Sequence, residues 1–159
     1  ELDAAIVAGV VRSRFIALTP LFTEQHVALC APGHPMAGRS VTLAQFMAQP
    51  LVLRQRGSGA FQLFSAAVAQ AGYTPRPAWQ CASVQAILAA VGLGLGVTVL
   101  PRQVAAAALD AGQLAVIRVQ GLDVHSTVCL AVHKSKFLSP ALGHFMDMAR
   151  ALAQPQTGE

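Results

Sequence analysis

The sequence predicts an α/β fold in which mostly parallel strands are covered by helices on both faces. Short apolar runs alternate along the chain with segments of helical periodicity, as where Leu51-Val52-Leu53 precedes a helical segment. Alternation of this kind produces a parallel sheet, because each helix returns the chain to the edge where the next strand begins. The strand runs are also continuously apolar, which is typical of strands buried on both sides.

Strands are predicted where apolar or β-branched residues run between turn residues. The first begins almost at residue 1, which suggests that an upstream segment is missing. Thr19-Pro20 is expected to end a short extended segment, and Pro32-Gly33 to form the turn after the next strand. The predicted strands are residues 3–8, 15–18, 26–31, 51–53, 77–81, 97–100, 114–117 and 124–133.

Helices are placed by their capping residues and their glycine stops. Thr42 and Gln45 form a capping-box pattern, Ser83 is a predicted N-cap, and Gly72 is a predicted stop. Pro101 is expected at the first helical position, N1. The predicted helices are a short one after Thr42, residues 60–71, residues 83–91, the segment between Pro101 and Gly112, and a final one after Ser139-Pro140.

The composition supports a folded chain with a hydrophobic core. The 159 residues fit one domain or two small lobes. Hydrophobic residues make up 54% and charged residues 11%, a balance that excludes intrinsic disorder. No run of about 18 apolar residues occurs, so no membrane-spanning helix is predicted. The low charge content would also be consistent with a further face of the chain that is buried against a partner or against a missing segment of the protein.

The charged residues and cysteines exclude several classes of function. The net charge is +4, but the basic residues are scattered and no helix carries a clustered basic face, which argues against nucleic-acid binding. Cys30, Cys81 and Cys129 are far apart and lack CxxC spacing, so no metal site is expected. No secretory signal opens the chain, and with the unpaired cysteines this favours the cytoplasm.

The segment Gly92-Leu93-Gly94-Leu95-Gly96 resembles a dinucleotide-binding fingerprint only superficially. That fingerprint requires a strand, then the glycines, then a helix. Here the helix comes first and the strand follows, so no nucleotide or other cofactor is expected. We interpret these glycines as a packing junction that lets backbones approach closely.

Two loops have the order that an anion site requires, a strand followed by a helix. Gly57-Ser58-Gly59 and Ser83 each precede a predicted helix, whose free N-terminal amides carry partial positive charge. Ligands of open α/β sheets bind at the carboxyl ends of strands, so ligand contact is predicted at both loops, with simple helix capping as the alternative. Ser58 is not expected to act as a nucleophile, because it lacks a G-x-S-x-G elbow and a recognisable histidine base.

Six stretches carry further motifs in a fixed order along nearly the whole chain. They are residues 1–7, residues 34–37 with 41–46, residues 56–59, residues 71–75, residues 91–101, and residues 138–141 with Phe145. Each is weakly specific alone, but their order and spacing together resemble the effector-binding domain of LysR-type transcriptional regulators.

The resemblance implies a periplasmic-binding-protein-like fold of type II, with two α/β lobes joined by crossing strands and a small effector between them. It assigns residues 1–25 and 134–159 to an incomplete first lobe, and residues 26–133 to the crossover strands and second lobe. The family's N-terminal winged helix-turn-helix has no counterpart here. DNA contact is therefore expected only through that missing domain.

The family's pocket walls match three places in this sequence. Where the family often has Glu, Thr and Arg around the glycine loop, this chain has Gln55, Ala60 and Phe61, which favours a ligand with an apolar or aromatic part. Packing of Phe61 in the core is an equal alternative. The residues predicted to bind the ligand are Ala8, Gly9, Val10, Gly57, Ser58, Gly59, Ala60, Phe61, Ser83, Val84 and Gln85.

The sequence therefore predicts a non-enzymatic effector-sensing domain that binds a small carboxylate, with aromatic carboxylates as candidates. Its expected partners are the effector and further copies of itself, as a dimer or tetramer, and no membrane. A solute-binding protein of a transporter with the same fold is the main alternative. An enzyme on this scaffold and an oligomerisation remnant with an empty cleft are the others.

Overall fold

The computed structural model describes residues 3–9 and 13–153, which form alternating strands and helices. The strands are β1 Ala4–Ala8, β2 Ile16–Cys30, β3 Ser40–Val41, β4 Leu51–Arg54, β5 Pro77–Cys81, β6 Thr98–Pro101, β7 Ala115–Val119 and β8 Val124–His133. The helices are α1 Leu43–Met47, α2 Gly59–Ala69, α3 Val84–Gly92, α4 Arg102–Asp110 and α5 Pro140–Ala153.

The chain divides into two compact units. The first holds Glu1–Glu24 and Ser126–Glu159, and the second holds Gln25–His125. The strands β2 and β8 run from one unit into the other, as crossing strands would. The lobe boundaries derived from the resemblance, at residues 25/26 and 133/134, stay a prediction.

The sheet of the second unit has the order β5-β4-β6-β2-β7-β3. The strands β4 and β5 pair in parallel, as do β3 and β7, and a parallel bridge from Leu51 to Val97 joins β4 to the start of β6. The strand β2 pairs antiparallel with both β6 and β7. Within Gln25–His125, all of which the structure describes, β2 alone therefore runs against the other strands, and the prediction of a mostly parallel sheet is confirmed.

A separate hydrophobic core lies on each face of this sheet, because side chains alternate along every strand. The helices α1 and α2 cover one face and α3 and α4 the other. The first core centres on Phe46, Phe64, Val68, Val99 and Ile117. The second centres on Leu29, Ile87, Val91, Leu100 and Ala105.

The first unit is built from the antiparallel pair β1 and β8, next to the first part of β2, with α5 packed on it. Ala4 is paired with Val132 and Ala8 with Val128. Leu130, Val132 and Ala149 form its buried core. Ser139 caps α5 by accepting a hydrogen bond from the Leu142 amide at 3.2 Å, so the predicted start of the final helix is confirmed.

The prediction that Thr19-Pro20 ends a strand is wrong, because Ile16–Cys30 is one continuous strand. Proline disrupts a strand only where its missing N–H would have bonded a neighbour. In its first part β2 has β8 beside it, whereas pairing with β6 begins only at His26 and with β7 at Ala28. Pro20 therefore lies where β2 still has an open edge.

The helix caps were predicted well, with one correction. Thr42 and Gln45 form both bonds of the capping box. Gly72 and Gly112, the predicted stops, have φ of +79° and +67°. Pro101 is the N-cap of α4 rather than its first helical residue, since its ψ of 134° is extended. It remains extended because it still pairs with His26 in the sheet.

Candidate functional site

Two helices of the second unit begin directly after neighbouring parallel strands. The strand β4 leads to α2, whose N-cap Ser58 accepts a hydrogen bond from the Phe61 amide at 3.2 Å. The strand β5 leads to α3, whose N-cap Ser83 accepts one from the Ala86 amide at 3.3 Å. Because β4 and β5 are parallel neighbours, both helix N-termini lie at the same edge of the sheet.

The two loops are tied to each other by hydrogen bonds. The Gln55 amide donates to the Cys81 carbonyl at 3.2 Å. The Arg54 guanidinium donates from Nη1 to the Ala82 carbonyl. The Ser58 amide donates back to the Gln55 carbonyl at 2.9 Å, which closes the turn before α2. The Ser58 and Ser83 loops therefore form one continuous edge, which we call the serine edge.

The serine edge is suited to a small anion. The first turn of a helix leaves amides without intrahelical partners, and each helix end favours a negative group by about 0.3–1 kcal/mol. Neither α2 nor α3 carries an acidic residue in its first turn, so no side chain of its own competes for that charge. Each serine oxygen accepts one bond from its helix, which leaves its hydroxyl hydrogen able to donate to a ligand.

The other predicted site residues lie in different surroundings. Phe61 is half-buried, packs against the first core, and lines a separate pocket of about 290 Å³ with Arg56 and Tyr73. This favours the alternative in which Phe61 is a packing residue. Val84 packs against the second core, and Gln85 is exposed and lines a groove between α3 and α4.

Gly57 belongs to the Ser58 loop, and Gly59 and Ala60 are the first residues of α2. Ala8 and Gly9 belong to the first unit. Ala8 ends β1, and the Gly9 amide donates to the Thr127 carbonyl at 3.4 Å. Gly9 has a φ of +99°, a conformation that favours glycine. Val10 lies outside the described residues. A role for Ala8 and Gly9 in ligand binding stays a prediction.

Two features of the described residues, 3–9 and 13–153, concern metal binding and thiol reactivity. Among those residues no three His, Cys, Asp or Glu side chains are placed to hold a metal ion. Burial raises the pKa of the Cys30 thiol to about 11, so this thiol stays protonated and unreactive at neutral pH. No helix within residues 3–9 and 13–153 is long and apolar enough to cross a membrane.

Sequence reasoning missed a second polar feature of the same unit. It treated the arginines as scattered charge, whereas the structure brings Arg102 and Arg118 to one groove of about 630 Å³. Arg102 follows β6 and Arg118 lies on β7, so both line this groove only because β2 is placed between those two strands. No local pattern in a single sequence signals that strand order.

Known structures share this architecture. The regulatory domain of CcmR from Synechocystis PCC6803, solved in complex with 2-PG, superposes with a TM-score of 0.88 at 20% identity, over 97% of this chain and 74% of that one. The effector-binding domain of QuiR, solved in complex with shikimate, superposes with a TM-score of 0.85 at 21% identity, over 97% of this chain and 73% of that one.

A curated relative is more similar in sequence. The uncharacterized HTH-type transcriptional regulator YeiE of Escherichia coli (strain K12) is 32% identical over 147 residues, which cover 92% of this chain and 50% of YeiE. This chain therefore spans about half the length of that relative.

These likenesses show first that the chain has the type II periplasmic-binding-protein-like fold. The family profile described as LysR substrate binding domain matches residues 1–154. The chain belongs to this LysR family, and the resemblance found in its motifs is confirmed.

Proposed function

We propose that this chain senses a small carboxylate for a bacterial transcriptional regulator, and that the carboxylate binds at the serine edge. The observation that carries the proposal is the pairing of two capped helix N-termini at the carboxyl ends of the adjacent strands β4 and β5. In open α/β sheets this edge is where ligands bind.

The chemistry of the ligand follows from the donors at this edge. Backbone amides and serine hydroxyls donate hydrogen bonds, and they therefore select an acceptor that carries negative charge. The structural neighbours support a ligand of this size, since one was solved with 2-PG and another with shikimate, a small carboxylate. Both apolar and aromatic carboxylates are candidates for this chain.

We infer that the effector acts by shifting the arrangement of two lobes and of associated copies of the chain. A ligand can shift such an equilibrium only by its difference in affinity between two states. DNA binding would then belong to a segment beyond these residues, in the cytoplasm. The relative YeiE is an HTH-type transcriptional regulator, which favours this function over a transporter's solute-binding protein and over an enzyme.

The test is isothermal titration calorimetry of the chain with a panel of aliphatic and aromatic carboxylates. Ser58→Ala and Ser83→Ala each remove a hydroxyl donor to the charged ligand, and we expect binding about 10- to 100-fold weaker in each because such bonds contribute about 1.5–3 kcal/mol. Ser58→Pro also removes the amide that closes the turn onto the Gln55 carbonyl, so it should displace the loop and weaken binding further.

The matched control is Ser139→Ala, which removes an equivalent cap from α5 in the other unit. It should lower stability like the other two variants while leaving the affinity within about twofold. Equal affinities in the wild type, Ser58→Pro and Ser83→Ala would refute the assignment of the ligand to the serine edge.

A further inference from the structure

The sheet of the second unit opens between β2 and β7. The two strands pair antiparallel through Cys30, Leu29 and Ala28, and the last pair joins Ala28 to Ile117. Beyond that pair β2 remains paired with β6 as far as His26, and β7 remains paired with β3 as far as Val119. Both strands therefore continue, but the ladder between them stops, and a gap opens in the sheet.

The gap forms a groove of about 630 Å³, which lies within the range of small-molecule sites. We call it the β2–β7 groove. Its lining combines the apolar side chains of both strands with polar groups around them. The polar lining comprises Gln25, His26, Ser40, Arg102, Arg118 and Gln120.

The charged groups of the β2–β7 groove are all basic. Arg102 comes from the first residue of α4 and Arg118 from β7, and none of the lining residues is Asp or Glu. Among the described residues neither arginine has a carboxylate partner within ion-pair distance. Arg118 is held in place by its Nη2, which donates to the Gly38 carbonyl at 2.7 Å.

Backbone amides add to this positive character. The Arg118 amide donates to the Arg39 carbonyl, just before β3, at 2.9 Å, and the Gln120 amide donates to the Val41 carbonyl of β3 at 2.8 Å. Since successive residues of a strand turn their amides to opposite sides, the Val119 amide is directed toward the gap. The N-cap of α4, Pro101, offers no side-chain bond to the first turn, unlike Ser58 and Ser83.

We propose that the β2–β7 groove is a second anion site, which binds a small organic acid or phosphate ester independently of the serine edge. The two guanidinium groups and the Val119 amide would hold the oxyanion. The apolar walls from Val27, Val116 and Leu122 would cover the organic part. The proposal rests on this groove alone, and its test does not depend on whether a ligand binds at the serine edge.

The test is a titration of the ¹⁵N-labelled chain with inorganic phosphate at constant ionic strength, followed by amide chemical shifts. We expect saturable shifts at Val119, Arg102 and Gln103. Arg102→Gln and Arg118→Gln should each weaken phosphate binding about tenfold, because each removes a charge-assisted hydrogen bond. A parallel titration with benzoate tests whether the apolar walls accept an organic acid.

Arg76→Gln is the matched control, since Arg76 is exposed in the same unit and does not line the groove. It should leave the affinity within about twofold. If Arg118→Gln loses the native spectrum, Arg102→Gln decides alone, because the structure shows no hydrogen bond from the Arg102 side chain to any described residue.

Four results would overturn the proposal, and the last of them concerns Ser58→Pro. The first is that the amide chemical shifts do not saturate with phosphate. The second is that the shifts are confined to the first turns of α2 and α3. The third is that Arg102→Gln and Arg76→Gln bind phosphate with equal affinity. Loss of carboxylate binding in Ser58→Pro with phosphate binding retained would support two separate sites. Loss of phosphate binding in Ser58→Pro would contradict them.

Discussion

Replacing Gly96 by alanine should destabilise the chain more than the same change at either neighbouring glycine. Gly96 is buried just before β6, with φ at +153°. A Cβ atom there would lie 2.2 Å from the Pro50 carbonyl oxygen and 3.1 Å from Cγ2 of Val52. The oxygen belongs to the backbone, so it cannot swing aside as the end of a long side chain would.

The magnitude follows from the bonds that must break. To reach an ordinary contact of about 3.5 Å, the backbone of Gly96 has to move away from β4. The Val97 amide donates to the Pro50 carbonyl, and the Val52 amide donates to the Val97 carbonyl, each at 2.9 Å. Each buried backbone group left without a partner costs about 1–3 kcal/mol, so we expect a loss of about 3–5 kcal/mol.

The neighbouring glycines provide matched controls with different physics. Gly94 has φ of +80°, but an added Cβ would meet no atom within 4 Å, so Gly94→Ala should cost only the backbone strain of about 1–2 kcal/mol. Gly92 ends α3 with an ordinary φ, and the nearest neighbour of a Cβ there would be the Gln113 carbonyl oxygen at 3.4 Å. Gly92→Ala should therefore be neutral or slightly stabilising, because this contact is an ordinary one and alanine favours a helix over glycine by about 0.5–1 kcal/mol.

The assay is urea unfolding followed by circular dichroism at 222 nm, with the free energy of unfolding extrapolated to water. The expected order of destabilisation is Gly96→Ala, then Gly94→Ala, then Gly92→Ala. A loss in Gly96→Ala equal to or smaller than that in Gly94→Ala would refute the argument from close approach. It would show that strand β4 moves to make room for the methyl group without breaking its hydrogen bonds to Val97.

Two further predictions concern the cores. Phe64→Ala should lower the free energy of unfolding in urea by about 3–5 kcal/mol, because Phe64 is 1% exposed and packs edge-to-face on Phe46. The same change at the exposed Phe137 should lower it far less. The raised pKa of Cys30, about 11 against 9.0, means that ionisation favours the unfolded chain above pH 9. Stability should fall by about 1.4 kcal/mol per pH unit from pH 9 to 11, and Cys30→Ala should lack this loss although it lowers stability at neutral pH.

The features that the sequence predicted are those fixed by neighbouring residues. The capping box of Thr42 and Gln45, the caps at Ser58 and Ser83, and the glycine stop at Gly72 each depend on a few consecutive residues. The parallel sheet followed from the alternation of strands and helices, which is also visible along the chain. For the same reason the serine edge could be predicted as a pair of loops.

The features that the sequence did not predict depend on contacts between distant residues. The prediction that a strand ends at Pro20 was wrong. Pairing of β2 with β6 and β7 begins only after Pro20, and the sequence does not show where that pairing begins. The sequence left open whether Phe61 contacts a ligand or packs in the core; its packing against the first core is set by the register of α2, and its contact with a ligand stays a prediction. The groove with Arg102 and Arg118 depends on a strand order that periodicity does not encode.

In the second unit, the close contact at Gly96 and the proposed ligand sites lie at opposite edges of the sheet. Gly96 and Pro50 lie where β6 and β4 begin, whereas Ser58, Ser83 and Arg102 follow the ends of β4, β5 and β6. Close packing at the beginning of these strands holds β4 and β6 in register. Because that contact is made by backbone, the loops at the opposite edge can vary in sequence without disturbing it. The glycine run is therefore best understood as the closely packed end of the sheet, opposite the edge at which we propose that anions bind.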